Sequence, residues 1–578
     1  MLNQNLLYKA LLNNQLLPTA KLAKAKQDCL KQGINLETFL IDNKLIKEPD
    51  LYQAMAKELR IPYVDLHTTV IRKDILLAVP EPIAESHQLV AYDKDETSVK
   101  IAATEPDDLQ TIEFLAKKFN SQIDIALTSP TSLKQALQQY HKSLKAEFAE
   151  LTNPAKPSTP NPDKPAELKK LAEDLPVIRI VDTLLEYAVF ERASDIHVEP
   201  TEQEVIVRYR VDGLLRDVMS LPKEAQDGLT ARIKILANLK LDEHRLPQDG
   251  RFKIKTKDYQ FSFRVSIIPV FDGEKIVLRL LQESGQALTL EQLGLQPNPL
   301  TILKRNIDKP HGMILVTGPT GSGKTTTLYS VLNVLNTNDV NISTIEDPIE
   351  YRLPRLNQSQ VSPRIGFTFA NGLRSLLRQD PDIIMVGEIR DLETAEIAIH
   401  AAMTGHLVLS TLHTNDAVGT LPRLLDMGIA PFLVASTTNI IVAQRLVRKI
   451  CGNCATSYKL NKKNLDDLAK QINLANILST LKRENVIKTT GKTLENLTFK
   501  KGAGCKQCNN QGYRGRLGIY ELFEITASVA QLILNRASAN ELKKEAQKQN
   551  MLTMLEDGFI KAVQGITSIE EVLRVTMD

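Results

Sequence analysis

The sequence has no run of eighteen apolar residues, so no membrane-spanning helix is expected. The start, Met1-Leu2-Asn3-Gln4-Asn5-Leu6-Leu7-Tyr8-Lys9, lacks a basic segment followed by an apolar core, so no secretory signal is read there. An excess of either charge is missing: 72 Lys and Arg stand against 69 Asp and Glu, a net value of +3 at pH 7. That balance, without a groove of basic and aromatic residues, argues against nucleic acid as the main partner. Cysteine is sparse, with five in 578 residues. A chain without an export signal has little use for disulfides, so their positions suggest metal.

What is present is ordinary globular material, 43% hydrophobic and 24% charged. The length suits three or four domains. Residues 1 to about 60 read as short amphipathic helices, with Leu22, Ala25, Cys29 and Leu30 at helical spacing. Cys29 stands alone and reads as a small core residue. Residues 61–142 change to a small α/β rhythm. Val90–Tyr92 and Val99–Ala103 read as strands, Leu109–Phe119 as a helix. Residues 143–175 carry Pro154, Pro157, Pro160, Pro162 and Pro165 in a polar stretch, and read as an extended, mobile linker.

Residues 176–290 form a second α/β module. Asp195-Ile196-His197-Val198-Glu199 alternates polar and apolar, and its polar face reads as solvated rather than metal-binding. Arg264 and Arg279 lie on two later strands. A planar, always-charged fork suits phosphate, though on these residues alone surface ion pairs are the simpler reading.

From 291 to 578 the chain is organised round Gly318-Pro319-Thr320-Gly321-Ser322-Gly323-Lys324-Thr325, followed by Thr326. The pattern G-x-x-x-x-G-K-[ST] lies between an apolar strand, Met313–Val316, and a helix, Thr325–Leu335. Glycines let the backbone wrap an anion with its N–H groups inward, and the helix N-terminus adds partial positive charge. Lys324 would reach the β- and γ-phosphates, and Thr325 would ligate Mg²⁺. Three further strands end in Glu346, Glu388 and His413. Groups at the C-terminal ends of strands in an open α/β sheet sit where ligands bind. Glu388 would hold Mg²⁺, Glu346 would deprotonate the attacking water, and His413 would sense the γ-phosphate. His406, at the start of the last strand, reads as a second sensor or a turn residue.

Cys451-x-x-Cys454 and Cys505-x-x-Cys508 supply four thiolates in two chelating pairs, which suits a closed tetrahedral zinc site. The long stretch between the pairs implies an inserted subdomain, about 448–516. A helical tail, Ala527–Val575, follows.

Together these motifs resemble the secretion ATPase superfamily, in particular the type IV pilus assembly (extension) ATPases, with the type II secretion ATPases as near relatives. The carrying segments are Ala193–Pro200, Arg245–Arg251, the phosphate loop, Ile345–Glu350, Asp382–Asp391, Thr404–Asn415 and the four cysteines. The resemblance implies a RecA-like P-loop core preceded by a smaller α/β (PAS-like) module. It implies a homohexamer that hydrolyses ATP between subunits, with Glu346 as catalytic carboxylate, Glu388 as Walker B acid and His406 with His413 as the His box. Arg264 and Arg279 become arginines brought to the nucleotide, and His197 stays structural. Implied partners are an inner-membrane platform protein and a cytoplasmic alignment-complex protein, with a cytoplasmic location at the inner membrane. Relatives that bind cyclic di-GMP carry an R-L-G start and a following glycine. Leu11–Leu17 departs from both, so that ligand is not expected. Retraction ATPases lack the long N-terminal module and the cysteines and end in A-I-R-N-L-I-R-E. This chain differs in all three, which favours extension.

Overall fold

The computed structural model describes residues 4–577 except 15, 33–35, 68, 70, 77, 80, 96, 138, 140–164, 256–259, 283–286, 488–493, 506–507 and 509. The chain forms two compact units. One comprises Met1–Lys253 with Phe263–Leu280, the other Ile254–Ser262 with Leu281–Asp578.

The first unit begins with helices Gln4–Asn13, Thr19–Gln32, Leu36–Asp42 and Glu48–Leu59. They bury Leu7, Leu11, Leu22, Leu40, Leu51 and Met55 in a shared core, and Cys29 is part of it as expected. A three-stranded sheet follows, β1 (Leu89–Lys94), β2 (Ser98–Ala103) and β3 (Gln122–Leu127). The helix Leu109–Phe119 crosses from β2 to its parallel partner β3, and the Asp108 side chain accepts from Thr111 N–H at its start. The next sheet has six strands: β4 (Asp195–Pro200), β5 (Glu204–Val211), β6 (Leu214–Pro222), β7 (Gln248–Lys255), β8 (Gln260–Val270) and β9 (Gly273–Gln282), in the order β6-β5-β4-β9-β8-β7.

Two expectations change here. The stretch read as a linker, 143–175, lies outside the described residues up to 164, but from Pro165 it is helical, Pro165–Ala172 and then Leu175–Phe190. The small module also lies against that second helix rather than apart from it. Phe114 meets Phe190 at 4.6 Å between ring centroids, Lys118 pairs with Glu186 at 2.7 Å, and Ser86 bonds Tyr187 at 2.8 Å. Buried His87 shares Asp108 at 2.7 Å. Prolines mark where a chain leaves regular structure, but they do not report what the apolar stripe after them will bury.

The polar face of β4 is also not simply solvated, because its carboxylates lie under an array of ion pairs. Asp195 is buried between Arg210 and Arg279, its cross-strand neighbours on either side. The Arg279 Nε donates to it at 2.9 Å. Glu199 takes Lys275 at 2.9 Å and Arg208 at 2.6 Å, which hold its carboxyl down at about 2 against the cost of burial. His197 faces Glu199 within this array.

In the second unit a seven-stranded sheet carries β10 (Gly312–Thr317), β11 (Ile342–Glu346), β12 (Leu356–Gln360), β13 (Ile383–Val386), β14 (Leu407–Leu412) and β15 (Thr438–Ile450). Across a two-stranded excursion, β16 (Ala455–Lys459) with β17 (Thr498–Gly502), it ends in β18 (Tyr513–Glu524). The order is β12-β11-β13-β14-β10-β15-β18, parallel except for the last pair. β10, β11, β13 and β14 are buried along their whole length, as the largely apolar central strands of a parallel sheet are, and the few polar side chains on them are buried too. The tail is helical, Ala527–Leu534, Ala539–Lys548, Met554–Val563 and Ile569–Thr576.

Candidate functional site

Because the central strands are parallel and buried on both faces, chemistry has room only at their ends. β10 ends at Thr317 and turns into the glycine loop. Gly318, Gly321 and Gly323 have φ of +147°, +79° and +90°, where an L side chain is strained. A Cβ at Gly318 would come within 2.5 Å of the Gln444 carbonyl, while Gly321 faces open space. The helix Lys324–Leu335 starts at once. Ser322 Oγ is buried without a hydrogen-bond partner among the described residues. An orphaned hydroxyl beside N–H groups at a helix start suits a phosphate oxygen. The Lys324 ammonium lies back on the Gly318 and Pro319 carbonyls at 2.9 and 3.2 Å. Burial pulls it below its ordinary range, and Glu388 opposes this.

Three of the four strand-end groups converge with the loop on one edge. Glu346 is the last residue of β11, Glu388 lies two residues past β13, and His413 one past β14. His413 Nε2 is 3.1 Å from Glu388 Oε2, and Arg390 holds Glu388 Oε1 at 2.5 Å. Thr411 Oγ1 donates to the Gly387 carbonyl at 2.7 Å, fixing β14 against the segment that carries Glu388. Glu346 is almost sealed, 2% exposed, and accepts from Thr344, Tyr329 and Gln358. Burial raises its pKa, and those donors limit the rise.

His406 is not brought to this edge. Gly312 N–H donates to the His406 carbonyl at the far end of β10, and its ring Nδ1 faces the Ala401 carbonyl at 2.9 Å. A six-residue strand separates it from His413, about 20 Å of chain. Within one chain it is a helix-to-strand turn residue. Arg264 and Arg279 belong to the first unit, both exposed, Arg279 on Asp195.

The sequence did not single out several residues that shape the loop. Gln444 is buried on β15. Its Nε2 donates to the Ser322 carbonyl at 2.6 Å, and its Oε1 accepts from Thr327 at 2.6 Å. Thr317 Oγ1 accepts from Thr414 N–H at 2.8 Å, tying the loop to the residue after His413. Glu521 on β18 accepts from Ala417 N–H at 2.9 Å, and burial lifts its carboxyl to about 7.

The four cysteines meet as their spacing implies. Sγ–Sγ distances are 3.7 Å for Cys451–Cys505, 3.7 Å for Cys454–Cys508 and 3.6 Å for Cys505–Cys508. Tetrahedral thiolates at about 2.3 Å from a zinc ion stand about 3.8 Å apart, so the residues fit the ion. The N–H groups of Cys505 and Gly512 point at Cys508 Sγ and hold that thiol below its usual range.

A family model described as "Type II/IV secretion system protein" matches residues 170–574, and one described as "MshEN domain" matches 59–147. The type IV pilus assembly ATPase PilB of Myxococcus xanthus is 41% identical over 571 residues, covering 97% of this chain and 97% of that protein. The type II secretion system protein E of Xanthomonas campestris is 37% identical over 576 residues, covering 99% and 98%. The solved structure of the ATPase DotB of Yersinia pseudotuberculosis, 23% identical, covers 69% of this chain and 93% of its own with a TM-score of 0.50, a likeness of fold. A loop, carboxylates and histidine gathered on one sheet edge, and a family model that spans most of the chain, lead to one conclusion: the chain belongs to the type II/IV secretion system protein family, as one of its ATP-hydrolysing members.

Proposed function

We propose that this protein is a type IV pilus assembly motor, a homohexamer that hydrolyses ATP to drive pilin polymerisation. The observation that carries the reading is identity of 41% with a pilus assembly ATPase along nearly the whole length of both chains, the N-terminal module included. The protein would work in the cytoplasm at the inner membrane, held there by a platform protein and an alignment-complex protein. No helix among the described residues is long and apolar enough to cross a membrane, so partners would supply the attachment.

In hydrolysis, the loop N–H groups, Ser322 and Lys324 bind the phosphates, with Thr320 and Thr326 beside them. Thr325 and Glu388 would hold Mg²⁺, which when bound neutralises charge on the β- and γ-phosphates. Glu346 accepts the proton of the attacking water, and its raised pKa suits that task. His413, against Glu388, donates toward the γ-phosphate. Following the family resemblance, Arg264 and Arg279 would add fixed positive charge toward the nucleotide. The cysteine quartet holds one structural zinc.

The test combines phosphate release, native mass and zinc content on one sample. Mg²⁺-dependent turnover by a hexamer with one zinc per chain supports the motor. Turnover raised by DNA would point instead to a nucleic-acid motor. A second reading, a type II secretion motor, is favoured by the 37% identity to such a protein over its whole length. A strain lacking this gene separates the two. Loss of surface pili with normal exoprotein release is expected, and the reverse result selects secretion.

A further inference from the structure

Glu346 is the most enclosed of the strand-end groups, and the way it is enclosed is specific. Its Oε1 accepts from Thr344 Oγ1 at 2.6 Å and from Gln358 Nε2 at 3.2 Å. Its Oε2 accepts from the Tyr329 hydroxyl. The three donors come from three elements: the helix that begins at Lys324, β11 itself, and the edge strand β12. Tyr329 is 0% exposed and sits edge-on against Tyr351, with ring centroids 4.6 Å apart and planes at 83°. Gln358 Nε2 also reaches the Tyr329 hydroxyl at 3.3 Å, which closes the ring of contacts. Its amide oxygen accepts from Leu353 N–H, so the side chain cannot turn freely.

Packing does not require this hydroxyl. Phenylalanine would fill the same volume without a polar group to satisfy. A buried tyrosine that donates its hydrogen bond to a carboxylate in an ATPase site is spent on that carboxylate. Tyr329 also lies on the helix that follows the phosphate loop, five residues after Lys324. One hydrogen bond therefore joins the element that feels the phosphates to the group that takes the proton from water.

We infer that Tyr329 and Gln358 are positioning residues of the hydrolytic step, aiming the Glu346 carboxylate and making its alignment follow the Lys324 helix. The inference rests on the reading of Glu346 as the base. A misplacement of about 1 Å in such a group costs on the order of 100-fold in rate without weakening substrate binding. The same donors favour the ionised carboxylate. The titratable groups facing Glu346 are Tyr329 on the helix and Tyr351 on the loop after β11, with Glu350 next to it and bearing on both tyrosines. Removing a donor therefore moves the acid limb of the rate profile to higher pH.

The test uses the full chain with Mg·ATP and a fluorescent ATP analogue. Tyr329→Phe is expected to leave KM and analogue affinity within about twofold, lower kcat about 10-fold or more, and shift the acid limb of kcat upward. Gln358→Met, which removes a donor to Oε1 and leaves the Tyr329 bond to Oε2 in place, is expected to act in the same direction and more weakly. Glu346→Gln, run alongside, separates the two readings. If it is inactive while both other variants keep parental kcat and pH profile, the positioning role is overturned and the base remains. If it turns over like the parent, the base reading falls, and the inference with it. Should Tyr329→Phe lose analogue binding, the split between kcat and KM in Gln358→Met decides.

Discussion

The two large sheets of this molecule place their charged groups in opposite ways. In the parallel sheet every central strand is buried along its length, and Glu346, Glu388 and His413 occur only at or past the strand ends. In the six-stranded sheet the charges stand within the paired strands on one face, where Asp195, Arg210 and Arg279 lie side by side across three strands. The difference follows from what covers them. A sheet packed with helices on both sides has no face left for charge. An antiparallel sheet with one open face can carry guanidinium groups along it, provided carboxylates hold them. The first arrangement builds a fixed site, and the second builds a surface that presents arginines.

The sharpest break of this comparison is at the edge. Lys324→Ala should abolish phosphate release, a loss of at least about a thousandfold, and parental turnover would remove the loop from the mechanism. Metal removal comes next. Cys451→Ser with Cys505→Ser should strip zinc, read by elemental content, and melt the 448–516 region before the sheet. Structural zinc supplies on the order of 10–16 kcal/mol to such a fold, so an unchanged melt would mean the four thiols need no ion.

The face should respond less. Asp195→Asn leaves Arg210 and Arg279 facing each other without their shared counter-ion. Both arginines are partly exposed, so solvent screens the loss. A cost of about 1 kcal/mol in unfolding free energy, read from urea titration, is expected, with turnover reduced less than in Lys324→Ala. A larger kinetic than stability effect would show that Asp195 sets the arginine for the nucleotide.

The smallest effect is one of pH. Glu521 has its carboxyl lifted from 4.5 to about 7 by burial. The folded state therefore holds a proton that the unfolded state releases. Stability from this group is present below about pH 4.5 and is lost as pH rises through about 7. The span amounts to roughly 3 kcal/mol. Glu521→Gln should flatten that part of the urea midpoint against pH, gaining at pH 8 and changing little near pH 4. A slope equal to the parent's would place the titration elsewhere.

Much of the edge was legible because an apolar run that stops at a carboxylate has few other meanings. The cysteine quartet was legible because chelating pairs have a fixed spacing. Tyr329, Gln444 and Glu521 were not. A tyrosine in Thr327–Leu332 looks like core, and so it is, apart from one hydroxyl. Gln444 continues an apolar strand, and only the pairing of β10 with β15 brings it under the loop. The polar face of β4 was misread because alternation distinguishes two faces but not water from an ion-pair array. His406 was grouped with His413 by the resemblance, while from the residues alone it read as a second sensor or a turn residue; within one chain an extended strand carries the two apart. The helix after Pro165 was hidden because prolines outweigh a short apolar stripe in any local reading.

The cysteine quartet has a consequence for how the chain can change length. β15 and β18 are antiparallel neighbours whose last pair is Ile450 with Tyr513, and Cys451 N–H donates to the Gly512 carbonyl at 2.9 Å. The four thiols therefore sit at the neck of an excursion that leaves the sheet and returns to the same place. A neck tied in this way fixes both ends of the detour, so its contour enters the closure entropy only logarithmically. Residues can be added or lost beyond the neck, as in the exposed turn between the helices Lys462–Ala469 and Leu474–Arg483, without shifting the register of a single strand that carries the loop. The excursion is thus the place where a lineage can lengthen this protein, or an experimenter can graft a tag, while the nucleotide edge stays as it is.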